Sequence, residues 1–195
     1  MKFGEISITD DIKILPYNNK KIVLVNKDDK PIRIQIPRMY MPFGISGFTP
    51  TGGGITKWNI DFSVKDQESF YNFIQNVENH IIQGVHQQSL EIFNRNISIE
   101  ELKTMFNSNM KEDPRGVWEP KFRVKIDDSC FIFNEHEQSM SQPYEDHLYA
   151  RNTGVSIIEP VSIYFMQRKF GITWKTFQLK MYEPQQLKGF QFRDA

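Results

Sequence analysis

Cysteine is almost absent from the sequence, since Cys130 is the one cysteine among 195 residues. A single cysteine excludes an internal disulfide and fits a reducing compartment best. We expect the neighbouring Asp127 and Asp128 to raise the pKa of the Cys130 thiol, which argues against a nucleophilic role. The chain also lacks an apolar run of about 18 residues, so no membrane-spanning helix is predicted. Its first residues contain no apolar signal core, so we expect no secretion.

The motifs of an enzyme are missing as well. Residues 49–56 contain three consecutive glycines, but the Gly-Lys-Ser/Thr ending that completes a phosphate-binding loop does not follow. The four histidines have no partner ligands at the spacing of a metal site. No Ser-His-Asp order and no pair of carboxylates stands out. The sequence therefore predicts a protein without catalytic activity, metal or cofactor.

Net charge is also lacking, because 24 basic residues balance 24 acidic ones. The charges are nevertheless distributed unevenly. Residues 20–58 hold seven basic and two acidic residues, residues 160–182 hold four basic and none acidic, and residues 66–119 hold four basic and nine acidic. The two basic segments are those predicted as strands. This asymmetry favours a nucleic-acid partner, and ordinary solvated faces are the alternative.

What the sequence does contain is a series of alternating segments typical of β-strands. An apolar run at 21–26, a polar turn and an alternating run at 32–36 predict a hairpin, with Arg33 and Gln35 pointing outward. Further strands are predicted at 57–64, 121–126 and 131–133. In the strand at 121–126, three cations occupy the outward face about 7 Å apart, which resembles the phosphate spacing of extended nucleic acid. A solvated strand face is the alternative interpretation.

The C-terminal strands carry the strongest functional signal. Residues 155–166 and 172–182 predict a hairpin, and residues 160–182 include six aromatic and four basic residues. Cations attract phosphates and flat rings stack on bases, so this mixture suits unpaired nucleic acid. The alternation places Trp174 and Lys175 on opposite faces of the strand.

Helical periodicity is confined to the middle of the chain. Spacings of three and four predict an amphipathic helix from Gln67 to Phe93, kinked at Gly84, and a second helix that begins with a capping box of Ser98 and Glu101. An antiparallel β core interrupted by helices predicts one OB-fold domain over residues 1–195. The fold class is mainly β with helices, a partly open barrel with a helical insertion at about 67–110. A β-sandwich is the competing architecture.

Five stretches of the sequence form a recognisable series. They are Ile-Gln-Ile-Pro-Arg-Met at 34–39 with Pro-Phe-Gly-Ile at 42–45, Lys-Trp-Asn-Ile-Asp-Phe-Ser at 57–63, Pro-Lys-Phe-Arg-Val-Lys at 120–125, Lys-Phe-Gly-Ile-Thr-Trp-Lys at 169–175, and Gln-Leu-Lys-Met-Tyr at 178–182 with Leu-Lys-Gly-Phe at 187–190. Together they resemble the single-stranded DNA-binding proteins of nucleocytoplasmic large DNA viruses, a family similar in fold to the single-stranded DNA-binding protein of T7-like phages. The resemblance covers residues 20–192, and the fourth stretch is its most specific part.

The resemblance implies sequence-independent coating of single-stranded DNA during viral DNA replication, recombination or repair. It implies single-stranded DNA as the partner, replication proteins and a homodimer as further candidate partners, and no membrane. The implied location is the host cytoplasm, at the viral replication site, or the nucleus. The phage proteins end in a long acidic tail that recruits partners. This chain ends in residues 191–195 without such a tail, so we expect no recruitment of that kind.

The candidate DNA-binding residues combine cations with rings. Those expected to contact phosphates are Lys121, Arg123, Lys125, Arg168, Lys169, Lys175 and Lys180, with Arg33 and Arg38 at the rim. Those expected to stack on bases are Tyr164, Phe170, Trp174 and Trp118, with Tyr40 and Phe43 as weaker candidates. Any single aromatic among them also fits the core.

Two other functions fit the same sequence. The first is a non-catalytic interaction or virion-structural protein of β-sandwich type, whose basic strands would meet an acidic partner. The second is RNA binding, which uses the same chemistry and differs chiefly at the 2′-hydroxyl. Salt-dependent binding to DNA separates the first of these from the leading hypothesis.

Overall fold

The computed structural model describes residues 1–140 and 143–183, so the stretch at 187–190 lies outside the described residues. Within the described residues, eleven strands form one mixed sheet that is not closed. The strands are β1 (Lys13–Ile14), β2 (Lys21–Val25), β3 (Ile34–Gln35), β4 (Met39–Met41), β5 (Ile45–Phe48), β6 (Lys57–Ser63), β7 (Met110–Lys111), β8 (Lys121–Ile126), β9 (Phe131–Phe133), β10 (Asn152–Met166) and β11 (Lys169–Tyr182).

The strand order along the main path of the sheet is β1-β2-β10-β11-β8-β6-β5. Strands β3 and β4 add to β10, β7 adds to β8, and β9 adds to β11. The pairings are antiparallel, except that β11 runs parallel to β8 and to β9. This parallel pairing departs from the predicted antiparallel core. The predicted mainly β, OB-like fold with an open sheet is confirmed.

The long strands β10 and β11 form the predicted closing hairpin and organise the sheet. Their register shifts twice, between Ile157 and Ile158 and between Pro160 and Ser162. Each shift leaves one residue unpaired, Phe177 on β11 and Val161 on β10, which is the geometry of a β-bulge. The predicted hairpin between 21–26 and 32–36 is wrong. Both β2 and β3 pair with β10 instead, because its 15 residues offer an edge long enough for β2, β3 and β4.

The helices are α1 (Ile8–Asp11), α2 (Glu68–Gln87), α3 (Ser89–Phe93) and α4 (Ile99–Met105). The predicted long helix is therefore divided at Gln88, whose side-chain amide accepts a hydrogen bond from the Tyr17 N–H and donates one to the Leu15 carbonyl oxygen. Helix α2 continues through Gly84 without a break. Gly84 allows Ile14 to pack closely against α2, because a Cβ at this position would lie 2.3 Å from a methyl group of Ile14.

The second helix begins as predicted, since the hydroxyl oxygen of Ser98 accepts a hydrogen bond from the Glu101 N–H at 3.2 Å. The reciprocal half of the capping box does not form. The carboxylate of Glu101 pairs with Arg95 instead.

The core lies between the inward face of the sheet and the apolar stripe of α2. Phe70 of α2 meets Phe122 of β8 edge to face at 5.5 Å, and Phe122 meets Trp174 of β11 at 5.4 Å. Near the N-terminus, Phe3 packs on Phe70 at 5.5 Å. The helical segment therefore covers one side of the sheet, and the side chains that point the other way are available for another role.

Candidate nucleic-acid interface

Alternate residues of β3, β4, β8, β9, β10 and β11 point away from the core and form a surface that we term the outward face. Cross-strand registers place its members side by side. Tyr40 of β4 lies opposite Thr153 of β10, which lies opposite Tyr182 of β11. On the other side of β11, Lys175 lies opposite Lys125 of β8. The alternation predicted this face correctly for Arg33, since the flanking isoleucines are buried and Arg33 is exposed.

Two arginines on the outward face stack on aromatic rings. The guanidinium carbon of Arg33 lies 3.7 Å from the centre of the Phe177 ring, and that of Arg38 lies 3.9 Å from the centre of the Tyr182 ring. Arg38 also donates to the hydroxyl oxygen of Thr153 at 2.7 Å. Stacking leaves the planar group pre-oriented while its outer donors remain free for phosphate. Phe177 lies two positions after Lys175 and shares its face, and the bulge at Phe177 brings Lys180 and Tyr182 to the same face.

The surface between the two stacks contains a cavity of about 410 Å³ with both polar and apolar walls. Gln178 and Lys180, which lie between Phe177 and Tyr182 on β11, line it together with Gln35 and Glu137. Its apolar walls are formed by Phe133, Val155, Ile157 and Leu179. Phe131 of β9 is 55% exposed and contacts the edge of Phe177 at a centroid distance of 6.2 Å. Exposed apolar and aromatic groups among cations are typical of surfaces that bind unpaired bases.

Four cations of the outward face are paired with carboxylates. Two of these pairs are exposed, Lys175 with Asp127 at 3.0 Å and Lys180 with Glu137 at 3.2 Å. The others are Arg33 with Glu159 at 2.9 Å and Arg123 with Asp61 at 2.7 Å. A phosphate that binds one of these cations competes with the carboxylate already present.

The cations of β8 differ in their surroundings. Arg123 donates two hydrogen bonds to the buried Asp61, and the hydrogen bond raises the pKa of the guanidinium. Burial, and then Lys57, lowers the pKa of Lys125, whose side chain has no ion pair with the described residues. Lys121 places its ammonium 4.7 Å from the centre of the Phe43 ring. The predicted outward direction of all three cations fits their exposure, because the intervening Phe122, Val124 and Ile126 are buried.

Two of the predicted stacking residues lie in the core. Trp174 is fully buried against Phe122, and Phe170 is fully buried between Phe106 and Phe165. Neither ring can offer its face to a base in this structure, so their assignment to the DNA surface is corrected. The alternation had indicated this for Trp174, since it placed that ring opposite Lys175.

The tip of the hairpin is separate from the outward-face stacks. Tyr164 accepts a hydrogen bond from the Asn107 amide at 2.8 Å, and Lys169 donates to the carbonyl oxygen of Thr104, in α4, at 3.0 Å. Arg168 lies in the turn between the two strands. Lys180 lies eleven positions after Lys169 along β11, a distance of about 35 Å. The structure therefore divides the predicted residues into a main group on the outward face and a smaller group at the hairpin tip.

Phe177, Tyr182 and Phe131 are members of the outward face that sequence reasoning did not single out. The alternation of residues 131–133 around the buried Ile132 could have placed Phe131 outward. Alternation from Lys175 could likewise have placed Phe177 outward, whereas no local signal shows the bulge that brings Tyr182 to the same face. The three remaining candidates are exposed and line a second cavity. They are Tyr40, Phe43 and Trp118.

The structure offers no support for a catalytic centre at Cys130. Burial, and then Asp127, raises the pKa of its thiol to about 12, so the thiol stays protonated at neutral pH. Among residues 1–140 and 143–183, no group of three or more His, Cys, Asp or Glu side chains is placed to hold a metal ion. No helix in the same part of the chain has the length and apolar character needed to cross a membrane.

Comparison with known proteins finds similarity in structure only. Neither a protein-family model nor a curated protein matches the chain. Three solved structures of the single-stranded DNA-binding protein from bacteriophage Enc34 are similar to it. The complex with single-stranded DNA is 13% identical, with 91% of this chain and 99% of that chain covered and a TM-score of 0.48. A second structure is 12% identical, with 93% and 96% covered and a TM-score of 0.49.

The third structure, a C-terminal truncation of the Enc34 protein, is 12% identical and gives a TM-score of 0.52. It is matched over 89% of this chain and 97% of its own length. At such low identity the likeness concerns the fold alone. The third structure, with a TM-score above 0.5, is the one that supports the OB-like assignment.

Proposed function

We propose that this protein binds single-stranded DNA without sequence preference along the outward face, and that it does so without catalysis. The observation that carries the proposal is the pair of arginines stacked on rings, Arg33 on Phe177 and Arg38 on Tyr182. Each stack presents a cation and a flat surface at the same place. Unpaired nucleic acid offers the matching groups, a phosphate and an exposed base, at each nucleotide.

The biological setting is part of the same proposal. The truncated Enc34 protein, a single-stranded DNA-binding protein, shares this fold, which supports the proposal at the level of the fold. The resemblance of residues 169–175 and the other stretches to proteins of nucleocytoplasmic large DNA viruses favours a role in viral DNA replication, recombination or repair. We extend the proposal to replication proteins as partners, to a homodimer, and to the host cytoplasm or nucleus as the location.

The test is fluorescence anisotropy of a labelled oligothymidine of about 30 nucleotides, titrated at low and moderate salt. We expect binding that weakens as salt rises and that survives competition by duplex DNA. Oligouridine as a second competitor separates DNA from RNA, because it tests the contribution of the 2′-hydroxyl. Absence of binding at low salt would refute the proposal and favour an acidic protein partner.

Variants locate the binding surface. We expect Arg38→Gln to weaken oligothymidine binding about tenfold, equivalent to ~1.4 kcal/mol, because it removes both a charge and a stacking group. Arg95→Gln is the matched control, since it removes an equal charge between α3 and α4, where Arg95 pairs with Glu101. Equal binding by the two variants would place the DNA elsewhere than on the outward face.

A further inference from the structure

The loop between β7 and β8 is folded so that it displays a tryptophan to solvent. The carboxylate of Asp113 accepts hydrogen bonds from the backbone N–H groups of Arg115 at 3.0 Å and Val117 at 3.2 Å. These bonds turn the chain and leave Trp118 63% exposed. A single exposed ring needs no partner to explain it, but several exposed rings grouped in one patch are typical of an interaction site.

Trp118 lines a cavity together with two further exposed rings. Tyr40 of β4 is 43% exposed and Phe43, which follows β4, is 41% exposed. The three rings line a cavity of about 310 Å³ together with Ser63 and Lys121. The ammonium of Lys121 lies 4.7 Å from the centre of the Phe43 ring, so a cation stands at the rim of an aromatic cavity.

The charges at this rim favour a nucleic acid over an apolar partner. Glu119, the carboxylate that lines the cavity, is paired with Lys65 at 2.7 Å and accepts a hydrogen bond from Ser63 at 3.3 Å. The pKa of the Glu119 carboxyl is lowered mainly by its hydrogen bond with Lys65, and the charge of Lys121 contributes to this shift. Lys121 itself forms no ion pair within 4.0 Å among the described residues, so its ammonium can still contact a phosphate. Flat rings beside an ammonium match the base and phosphate of a nucleotide.

The cavity is also continuous with the outward face. Tyr40 lines it and at the same time lies in the cross-strand row that runs through Thr153 to Tyr182. Neighbouring strands are about 4.8 Å apart, so this row places the backbone of Tyr40 about 10 Å from that of Tyr182, on whose ring Arg38 stacks. The cavity therefore adjoins the Arg38 stack on the same side of the sheet.

From this geometry we infer that the cavity between Tyr40, Phe43 and Trp118 is a base-stacking subsite for single-stranded DNA, with Lys121 contacting the adjoining phosphate. The inference rests on the proposed function. It also specifies that the DNA path turns from the outward face toward β6 at this cavity. The tryptophan that contacts DNA is therefore Trp118 and not the buried Trp174.

The test uses the full chain, oligothymidine and two variants of Trp118. We expect Trp118→Leu to weaken binding between about 5-fold and 150-fold, because it removes a stacking ring. Trp118→Phe keeps a ring and is expected to lose less than about threefold. Leu90→Ala is the control, since Leu90 of α3 is also a large exposed apolar side chain. Unchanged thermal unfolding shows that the variants are folded.

A second readout does not depend on affinity. Trp174 is buried and Trp58 is half-buried, so quenching of tryptophan emission by bound oligothymidine should come mainly from Trp118 and disappear in Trp118→Phe. If the wild type binds oligothymidine while Trp118→Leu binds equally well and quenching persists in Trp118→Phe, the subsite is overturned and the proposed function stands. If the wild type does not bind, both fall. If Trp118→Leu changes the oligomeric state of the protein in solution but leaves DNA binding unchanged, the cavity is a contact with a second protein chain. That result would also overturn the subsite.

Discussion

Glu78 is an acidic residue inside the packing between α2 and the segment that leads into β7. Its side chain accepts hydrogen bonds from the Ser108 hydroxyl at 2.7 Å and from the Asn109 N–H at 3.3 Å. Burial nevertheless raises the pKa of this carboxyl, against the hydrogen bonds and the positive charge of Lys111, and with Glu112 adding to the rise. The desolvation of the carboxylate therefore outweighs the stabilisation that its hydrogen bonds and Lys111 provide.

This balance makes the free energy of unfolding depend on pH. A raised pKa means that the folded protein holds the proton more tightly than the unfolded chain does. The free energy of unfolding therefore falls as pH rises from the ordinary value of a glutamate through the raised one. We expect Glu78→Gln to remove this fall, so the stability of the variant relative to wild type should increase between pH 4 and pH 7. Urea unfolding at several pH values measures it, and a difference that is constant with pH would contradict the assignment.

At the level of single residues, the sequence predicts the side of a strand to which a side chain points. It predicts less well whether that side is exposed to solvent or buried by another element. Alternation placed Arg33, Lys121 and Lys125 outward, and it separated Lys175 from Trp174. It could not distinguish an aromatic that packs on α2 from one that faces solvent, because both occur in strands with the same period. The burial of Phe170 follows from its contacts with Phe106 and Phe165, which only the folded chain brings together.

Among the secondary-structure elements, α4 depends on Ser98, the residue that caps its N-terminus. The helix has seven residues, too few to be stable alone, and Ser98 satisfies one of its free N–H groups. We expect Ser98→Ala to lower the free energy of unfolding by about 1 kcal/mol and Ser98→Asp to stay within a few tenths of wild type, because aspartate caps equally well. Denaturant unfolding measures both. Equal losses in the two variants would show that the hydroxyl does not act as a cap.

Element types were easier to predict than their pairing. The closing hairpin and the strand at 121–126 are recognisable from local alternation, and the Ser98 start of α4 from its cap. The pairing of β2 and β3 was not, since both add to β10 rather than to each other. A short polar turn between two alternating runs favours a local hairpin, but here both strands pair with the long edge of β10. The bulge at Phe177 depends on the pairing of β10 with β11 and has no local signal.

Across the whole molecule, cations and carboxylates are balanced, and on the proposed binding surface more than half of the cations are also paired with carboxylates. Four cations of the outward face have carboxylate partners: Arg33, Arg123, Lys175 and Lys180. Those without an ion pair among the described residues are Arg38, Lys121 and Lys125. Stacking should therefore supply a larger share of the affinity than it does in a uniformly basic protein, and counterion release a smaller share.

The salt dependence of binding measures this share directly. Each phosphate neutralised on a single strand contributes about −0.7 to the slope of the logarithm of affinity against the logarithm of salt concentration. Three available cations predict a wild-type slope of about −2. Glu137→Gln should release Lys180, steepen the slope by about 0.7 and strengthen binding at low salt, because Glu137 is the exposed partner of that lysine. Glu135→Gln is the matched control, since it changes the net charge equally from the same turn without touching a lysine. If both variants shift the slope and the affinity alike, the Glu137 carboxylate is not competing with phosphate, and only the overall charge of the molecule matters.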